Sequence, residues 1–343
     1  MKYKVFYIII IILSILGFML SLVACQKSDP PPVQIKEAHE SPVTIDLTYL
    51  CNHLSKEMQD IDNTRTTFAL EQINQKLKTC LPLLDFKQQL YLMHLSTQMY
   101  KKFLTVQRTP EEKNAFNSFA LDMAQHPTIQ QSHHQNFSLR DQYLLKHKGQ
   151  AYIELHETDQ HQLVYRRSPQ YLARIFAPYF PKAERTFIEN LAQQNMHNLF
   201  KNNRIVPDAN EISERALFWE NYVKQFPQSI YIQQAKYLYL TYSQLLFKGT
   251  AKDPVSDTYL GESSIQGDHL LAIEKLAKLD HSQLSEQARY FLKFIQLPPN
   301  VKRNQTGSSQ LSSQLSHYLN LKIITFNQYF DCFSDAICLQ RTS

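Results

Sequence analysis

From about residue 42 onward, apolar residues recur at three- and four-residue intervals along most of the chain. That is the spacing of helices with one buried face. Ser41-Pro42 offers a start for a first helix reaching about Asp60, and the polar run Asp62-Asn63-Thr64-Arg65-Thr66-Thr67 breaks it. A second helix runs to about Cys80 and stops at Pro82, because proline has no N–H to continue the ladder. A third spans residues 85–106. Thr109-Pro110-Glu111-Glu112 then supplies a cap, a proline in the first turn and a glutamate at the third position, predicting a fourth helix to about Gln125. A polar connection follows from His126 to Phe137. Ser138 with Asp141 marks another capped start, and that helix closes at Gly149.

The period switches in one place. Ala151-Tyr152-Ile153-Glu154-Leu155 and Gln162-Leu163-Val164-Tyr165-Arg166 alternate and are rich in β-formers, with a polar turn between them, which predicts one β-hairpin near 151–167. Ser168-Pro169 restarts helices, with breaks at Pro178 and Pro181, and helical pairs continue to about Gln296. Leu297-Pro298-Pro299 and the Ser/Gln-rich residues 304–314 read as a linker to an apolar, aromatic tail. The expected fold class is mostly α with one β-hairpin.

Two of the helical pairs are alike. Phe226-Pro227-Gln228-Ser229 leads into Gln234-Ala235-Lys236-Tyr237-Leu238. Fifty-three positions later, Leu279-Asp280-His281-Ser282 leads into Gln287-Ala288-Arg289-Tyr290-Phe291. Removing the loop-like residues 250–267 brings the period to about 35, near the tetratricopeptide period of about 34. Over residues 210–296 the chain resembles tetratricopeptide-type repeats, although the Trp/Gly/Tyr signature of the first helix is missing and Trp219 maps onto Ala272. The resemblance implies a helical-repeat array with Ala235 and Ala288 where paired helices approach closely.

The N-terminus carries a different pattern. Lys2 and Lys4 precede an uncharged stretch, residues 5–24, dominated by Ile, Leu, Val and Phe. It ends in Leu22-Val23-Ala24-Cys25, which resembles the lipobox of bacterial lipoproteins. That resemblance implies cleavage before Cys25 and lipid modification of Cys25, with stable anchoring once two or more acyl chains are attached. Gln26 lacks the Asp that commonly retains such proteins at the inner membrane, so the resemblance implies the outer membrane, facing the periplasm. Asp29-Pro30-Pro31-Pro32 opens a stiff, extended tether. The organisation expected is therefore a signal over 1–24, a tether over 25–41, a helical domain with its hairpin over 42–200, a repeat region over 201–297, and a linker and tail over 298–343.

Composition adds three constraints. At 43% apolar and 20% charged the 343-residue chain is globular in type, and with only 6 glycines it is poorly suited to the positive-φ turns of a β-sandwich. The net charge of +5 falls to +3 without Lys2 and Lys4, with no basic block, so no nucleic-acid partner is expected. Beyond Cys25 four cysteines remain, Cys51, Cys80, Cys332 and Cys338. An even number in an exported protein points to two disulfides, and four cysteines allow three connectivities. Cys51 and Cys80 are symmetric about the break between the first two helices, so a helical hairpin sets them side by side. That favours Cys51–Cys80 and Cys332–Cys338, the first closing a loop worth about 3 kcal/mol.

Candidate chemistry is sparse. Gly261-Glu262-Ser263-Ser264 resembles the Glu-Ser motif of lytic transglycosylases, but the downstream part of that motif is absent and Glu262 reads as a loop residue. Glu154, His156, Glu157, Asp159 and His161 gather at the hairpin turn, and His133-His134 form a second pair, neither with the spacing of a helical metal motif. No GxSxG, P-loop or GxGxxG occurs, and no metal or cofactor is expected. On the helix after Ser229, positions 231, 235, 238, 242 and 245 follow core spacing, while Tyr239 falls off that stripe and is the interface candidate. The expectation is a non-enzymatic envelope scaffold whose partners are other envelope proteins. A peptide- or glycan-binding module is the alternative, and a peptidoglycan hydrolase stands third.

Overall fold

The structure is a computed structural model that describes residues 47–125, 131–158, 160–306, 311–322 and 330–340. The lipobox, Cys25, the tether and the Ser41-Pro42 cap lie outside the described residues. No described helix is long and apolar enough to cross a membrane.

Helices α1 (Leu47–Gln59) and α2 (Thr67–Cys80) form the expected hairpin. The Cys51–Cys80 disulfide joins them with its Cα atoms 5.5 Å apart. Helix α3 (Phe86–Phe103) starts at a capping box: the Asp85 carboxylate accepts from the Gln88 N–H at 2.8 Å, and the Gln88 side chain accepts from the Asp85 N–H at 3.0 Å. Helix α4 (Pro110–Gln125) starts the same way, with Thr109 Oγ1 accepting from the Glu112 N–H and Glu112 Oε2 accepting from the Thr109 N–H. These reciprocal bonds satisfy donors that the first helical turn leaves without partners. A short α5 (Gln131–His134) leads to α6 (Leu139–Lys146), where Ser138 Oγ accepts from the Asp141 N–H at 3.1 Å.

The predicted hairpin exists, but its strands are shifted: β1 (Ile153–Glu157) pairs with β2 (Leu163–Arg167) in the register Ile153 to Arg167. Ala151 and Tyr152 adopt φ of 46° and 61°, so the chain is still turning where the sequence pattern already alternates. After α7 (Gln170–Ile175) and α8 (Lys182–Gln194) comes a second, unpredicted ribbon, β3 (Phe200–Lys201) with β4 (Arg204–Ile205). The pairs α9 (Ala209–Gln225) with α10 (Ile232–Lys248), and α11 (Gly267–Ala277) with α12 (Gln283–Gln296), follow. The stretch that reads as a linker carries two further helices, α13 (Pro299–Thr306) and α14 (Leu311–Tyr318). Proline opens helices as readily as it ends them, since the first turn needs no N–H from it. A third ribbon, β5 (Phe330–Asp331) with β6 (Leu339–Gln340), ends the described chain. The fold is mostly α, as expected, with three small antiparallel ribbons among the described residues where one hairpin was expected.

One large apolar core runs through these elements, and a satellite cluster of Ala115, Phe116, Ala120 and Phe137 sits under α4 and the first hairpin. Trp219 is fully buried in the large core beside Phe187 and Tyr222, and its indole N–H donates to Gln194 Oε1 at 3.1 Å. All five stripe residues of α10, Tyr231, Ala235, Leu238, Tyr242 and Leu245, are buried. Ala288 is also wholly buried.

The turns before α10 and α12 are held alike. Glu184 of α8 accepts from the Ser229 hydroxyl at 3.0 Å and the Ile230 N–H at 3.2 Å. Glu220 of α9 accepts from the Ser282 hydroxyl at 2.5 Å and the Gln283 N–H at 2.6 Å. Both glutamates are buried, and each carboxylate accepts from one serine hydroxyl and one backbone N–H in the turn that opens its helix.

Candidate functional site

Helix α3, the β1–β2 hairpin, the end of α8 and the start of α10 converge on the last described residues. The six-residue separation of Cys332 and Cys338 closes a small disulfide loop there. Cys332 and Ala336 are fully buried, and Asp335, between the cysteines, points its carboxylate inward. Arg167, the last residue of β2, meets it with an Nη2–Oδ2 distance of 2.5 Å, and the two side chains are only 4% and 10% exposed. The Arg167 guanidinium also donates to Ser96 Oγ at 3.2 Å and lies 4.9 Å from the Tyr171 ring centre. Asn195, at the end of α8, donates to the backbone carbonyls of Cys332 and Asp335 at 2.8 and 2.6 Å. Phe333 packs on Phe200 and Tyr242. The loop is thus clamped by an ion pair, two amide hydrogen bonds and aromatic contacts.

Three cavities surround this clamp. One of about 260 Å³ lies between α3 and β2, with Lys101, Arg166, Arg167 and Asp335 in its wall. A second, of about 420 Å³, runs between α3, the start of α10 and the β5–β6 ribbon, walled by Leu90, Met93 and Ile337 together with His94, Gln234 and Gln340. The third, of about 280 Å³, separates the β1–β2 hairpin from the loop and holds His156, Asn198 and Asp331. Burial pushes the His156 imidazole down to about 4, with Arg166 adding to the effect and Glu154 and Glu157 opposing it. Burial also lowers the Arg166 guanidinium below its ordinary value, despite Glu154 at 3.1 Å from its Nε. A fourth cavity, of about 600 Å³, lies apart from the clamp beside residues 249–259, where Lys248 donates to Ser316 Oγ at 2.8 Å.

The residues singled out from the sequence are scattered. Tyr239 is half-buried against the core, its hydroxyl is shielded from water, and burial with Glu220 nearby raises its pKa. More open apolar surface nearby belongs to Ile230, in the turn before α10, and to Leu271 and Tyr290 on α11 and α12. Glu262 is exposed in a short 3-10 turn. His161 bonds Glu157 at 2.5 Å, His133 stacks on Phe119, and Asp159 lies outside the described residues. Among the described residues no group of three His, Cys, Asp or Glu side chains is arranged to hold a metal ion. Cys51–Cys80 and Cys332–Cys338 are the two disulfides.

Arg167, Asp335 and Asn195 were not visible from sequence reasoning. The only local signal was a carboxylate between two closely spaced cysteines, and its partner lies 168 residues away. No protein-family model matches the chain, and no curated protein or solved structure matches it either.

Proposed function

We propose that the protein is a lipid-anchored envelope protein, attached through Cys25 to the outer membrane on its periplasmic face, that acts as a binding scaffold for other envelope proteins. The observation that carries the anchor is Leu22-Val23-Ala24-Cys25 at the end of a long uncharged stretch. The pairing of the four remaining cysteines supports it, because disulfides persist in oxidising compartments.

The scaffold reading rests on the helical pairs. Ser229 and Ser282, and Ala235 and Ala288, are 53 positions apart, and both serine turns are capped by a buried glutamate from a preceding helix. Such equivalence supports a tetratricopeptide-like array, an architecture that presents extended surfaces for protein ligands. Exposed Ile230, Leu271 and Tyr290 on these pairs supply apolar anchors.

Metabolic labelling with a fatty acid, combined with crosslinking in intact cells, tests both parts. The expected result is acyl label on the wild-type chain, lost in Cys25→Ala, and crosslinks from residues 209–296 to a distinct envelope protein. An unlabelled wild-type chain overturns the anchor. Peptidoglycan turnover that disappears in Glu262→Gln overturns the non-enzymatic reading.

A further inference from the structure

Helix α1 begins at Leu47, which marks where the upstream chain joins the described body. Cys51, one turn on, is bonded to Cys80, and the 3-10 turn Leu81–Leu83 follows Cys80 directly. One helical turn, a Cα separation of 5.5 Å across the disulfide and three residues of 3-10 turn place Leu83 within roughly 20 Å of that junction. Pro82 and Leu83 are open to solvent there, Leu83 by 60%.

The surroundings of this turn are positive. The Tyr179 hydroxyl donates to the Lys78 carbonyl at 3.4 Å, and the Phe86 and Phe180 rings meet edge to face with centres 5.3 Å apart. These contacts bring the end of α2, the start of α3 and the start of α8 to one edge. Each contributes an exposed lysine, Lys78, Lys87 and Lys182, and none of the three is in an ion pair among the described residues. The nearby carboxylates are already engaged: Asp85 caps α3, Glu57 pairs with Lys76, and Glu184 bonds the Ser229 turn. Lys87 and Lys182 each sit in the first turn of a helix, where the macrodipole is positive and a cation is disfavoured. Helix α8 also opens at Pro181 without a side-chain cap.

Tyr91 lies one turn beyond Lys87 on α3 and is 53% exposed. Its ring is apolar and its hydroxyl polar, the combination that suits a membrane–water interface. A lone exposed leucine is ordinary on a protein surface. An apolar turn ringed by lysines outside any ion pair, at the tethered end of the body, calls for an anionic partner with an apolar layer beneath its charge.

We propose that this edge docks on the membrane surface to which the chain is anchored. Leu83 and Tyr91 enter the interfacial layer, and Lys78, Lys87 and Lys182 contact the phosphates of anionic phospholipids. The inference rests on the anchoring upstream of Leu47 proposed above, and goes beyond it by orienting the body. Residues 26–46 separate Cys25 from Leu47, a reach on the order of 25 Å for a flexible chain. The junction is thereby held close to the headgroups, and the edge beside it meets them at high effective concentration. A contact too weak to recruit an untethered protein is then sufficient.

Quenching by lipids brominated on their acyl chains tests the proposal, using the full chain purified from membranes and reconstituted in phosphatidylethanolamine–phosphatidylglycerol vesicles. Trp219, the chain's one tryptophan, is fully buried and gives a constant background. Leu83→Trp adds an indole on the docking edge. Leu139→Trp adds one at a position 84% exposed, beside the opposite end of α2, where the Thr67 N–H donates to the Tyr143 hydroxyl. The expected result is loss of emission from Leu83→Trp but not from Leu139→Trp, with the loss shrinking as salt is raised. Lys78→Gln, Lys87→Gln and Lys182→Gln together should lower the ratio of docked to undocked protein on the order of a hundredfold, about fivefold for each lysine. Flotation of the same vesicles reads the anchor separately. Protein that fails to float at high salt overturns the anchor and the docking with it. Protein that floats overturns the docking alone if Leu83→Trp is unquenched, if Leu139→Trp is quenched equally, if phosphatidylcholine vesicles quench as well, or if the triple variant docks undiminished.

Discussion

Asp335→Ala removes one half of the most buried ion pair in the clamp and leaves Arg167 inside the protein with only Ser96 and two aromatic faces for company. Stripping one partner from a buried pair costs about 3–5 kcal/mol, because the remaining charge stays desolvated. The residual contacts of Arg167 place the expected loss at the lower end, about 3 kcal/mol. Arg167→Met strands the Asp335 carboxylate, whose Oδ1 still accepts from the Ala336 N–H at 2.7 Å, and is expected to cost a similar amount. The double variant leaves neither charge uncompensated and fills the space with a flexible apolar chain. Its loss should be about 1–2 kcal/mol, so the two substitutions are strongly non-additive. Urea unfolding followed by circular dichroism measures all three, and a loss of 3 kcal/mol corresponds to a thermal midpoint lowered by roughly 4–5 °C in a chain of this size. Asp335→Asn is the control for shape. If the single variants each lose under about 0.5 kcal/mol, or if their losses simply add, Arg167 and Asp335 are not coupled and the clamp is not held by charge.

Three further outcomes follow from the same structure. Cys51→Ser with Cys80→Ser should destabilise by about 3.5 kcal/mol on the chain-entropy account of a 29-residue separation, read as a lower urea midpoint; an unchanged midpoint rejects the entropic account here. Ala235→Leu and Ala288→Leu should each cost about 1–3 kcal/mol through overpacking, whereas Lys252→Ala stays within about 0.5 kcal/mol; parental melting of both leucine variants means the alanines tolerate bulk and the repeat alignment fails. His156 is held neutral in the fold, so the unfolded chain binds the extra proton between pH 6.5 and about 4, and stability falls as pH drops through that window. Because His156 is only partly buried and solvent screens its surroundings, the loss is about 1.5 kcal/mol rather than the full shift; His156→Gln should flatten that part of a stability–pH curve, and an unaltered slope rules His156 out as its source.

What was legible in the sequence was what neighbours along the chain decide. The Thr109–Glu112 box, the Ser138 cap and the α1–α2 hairpin are set within a few tens of residues, and the symmetry of Cys51 and Cys80 about their turn specified a disulfide. The buried stripe on α10 followed from helical period alone. The errors have physical causes too. Pro298-Pro299 reads as a stop when only its ring is considered, and as a helix start once the first turn's lack of need for an N–H is remembered. Positive φ at Ala151 and Tyr152 moved the hairpin, and no residue type there advertises it. Tyr239 lies off the core stripe of its own helix, yet neighbouring elements still shield its hydroxyl. The clamp was invisible because Arg167, Asn195 and Asp335 are brought together only by tertiary packing.

The Arg167–Asp335 pair has a consequence in time as well as in space. A growing chain makes Arg167 first and reaches Asp335 only 168 residues later, a delay of roughly 10–30 s at ordinary synthesis rates. Throughout that interval the helices that will enclose the arginine have nothing with which to neutralise it, and Asn195 has no carbonyls to hold. The body can collapse around its apolar residues, but its centre cannot be sealed until the final segment arrives. A product terminated before Cys332 would carry every helix described and still present an open, charged seam.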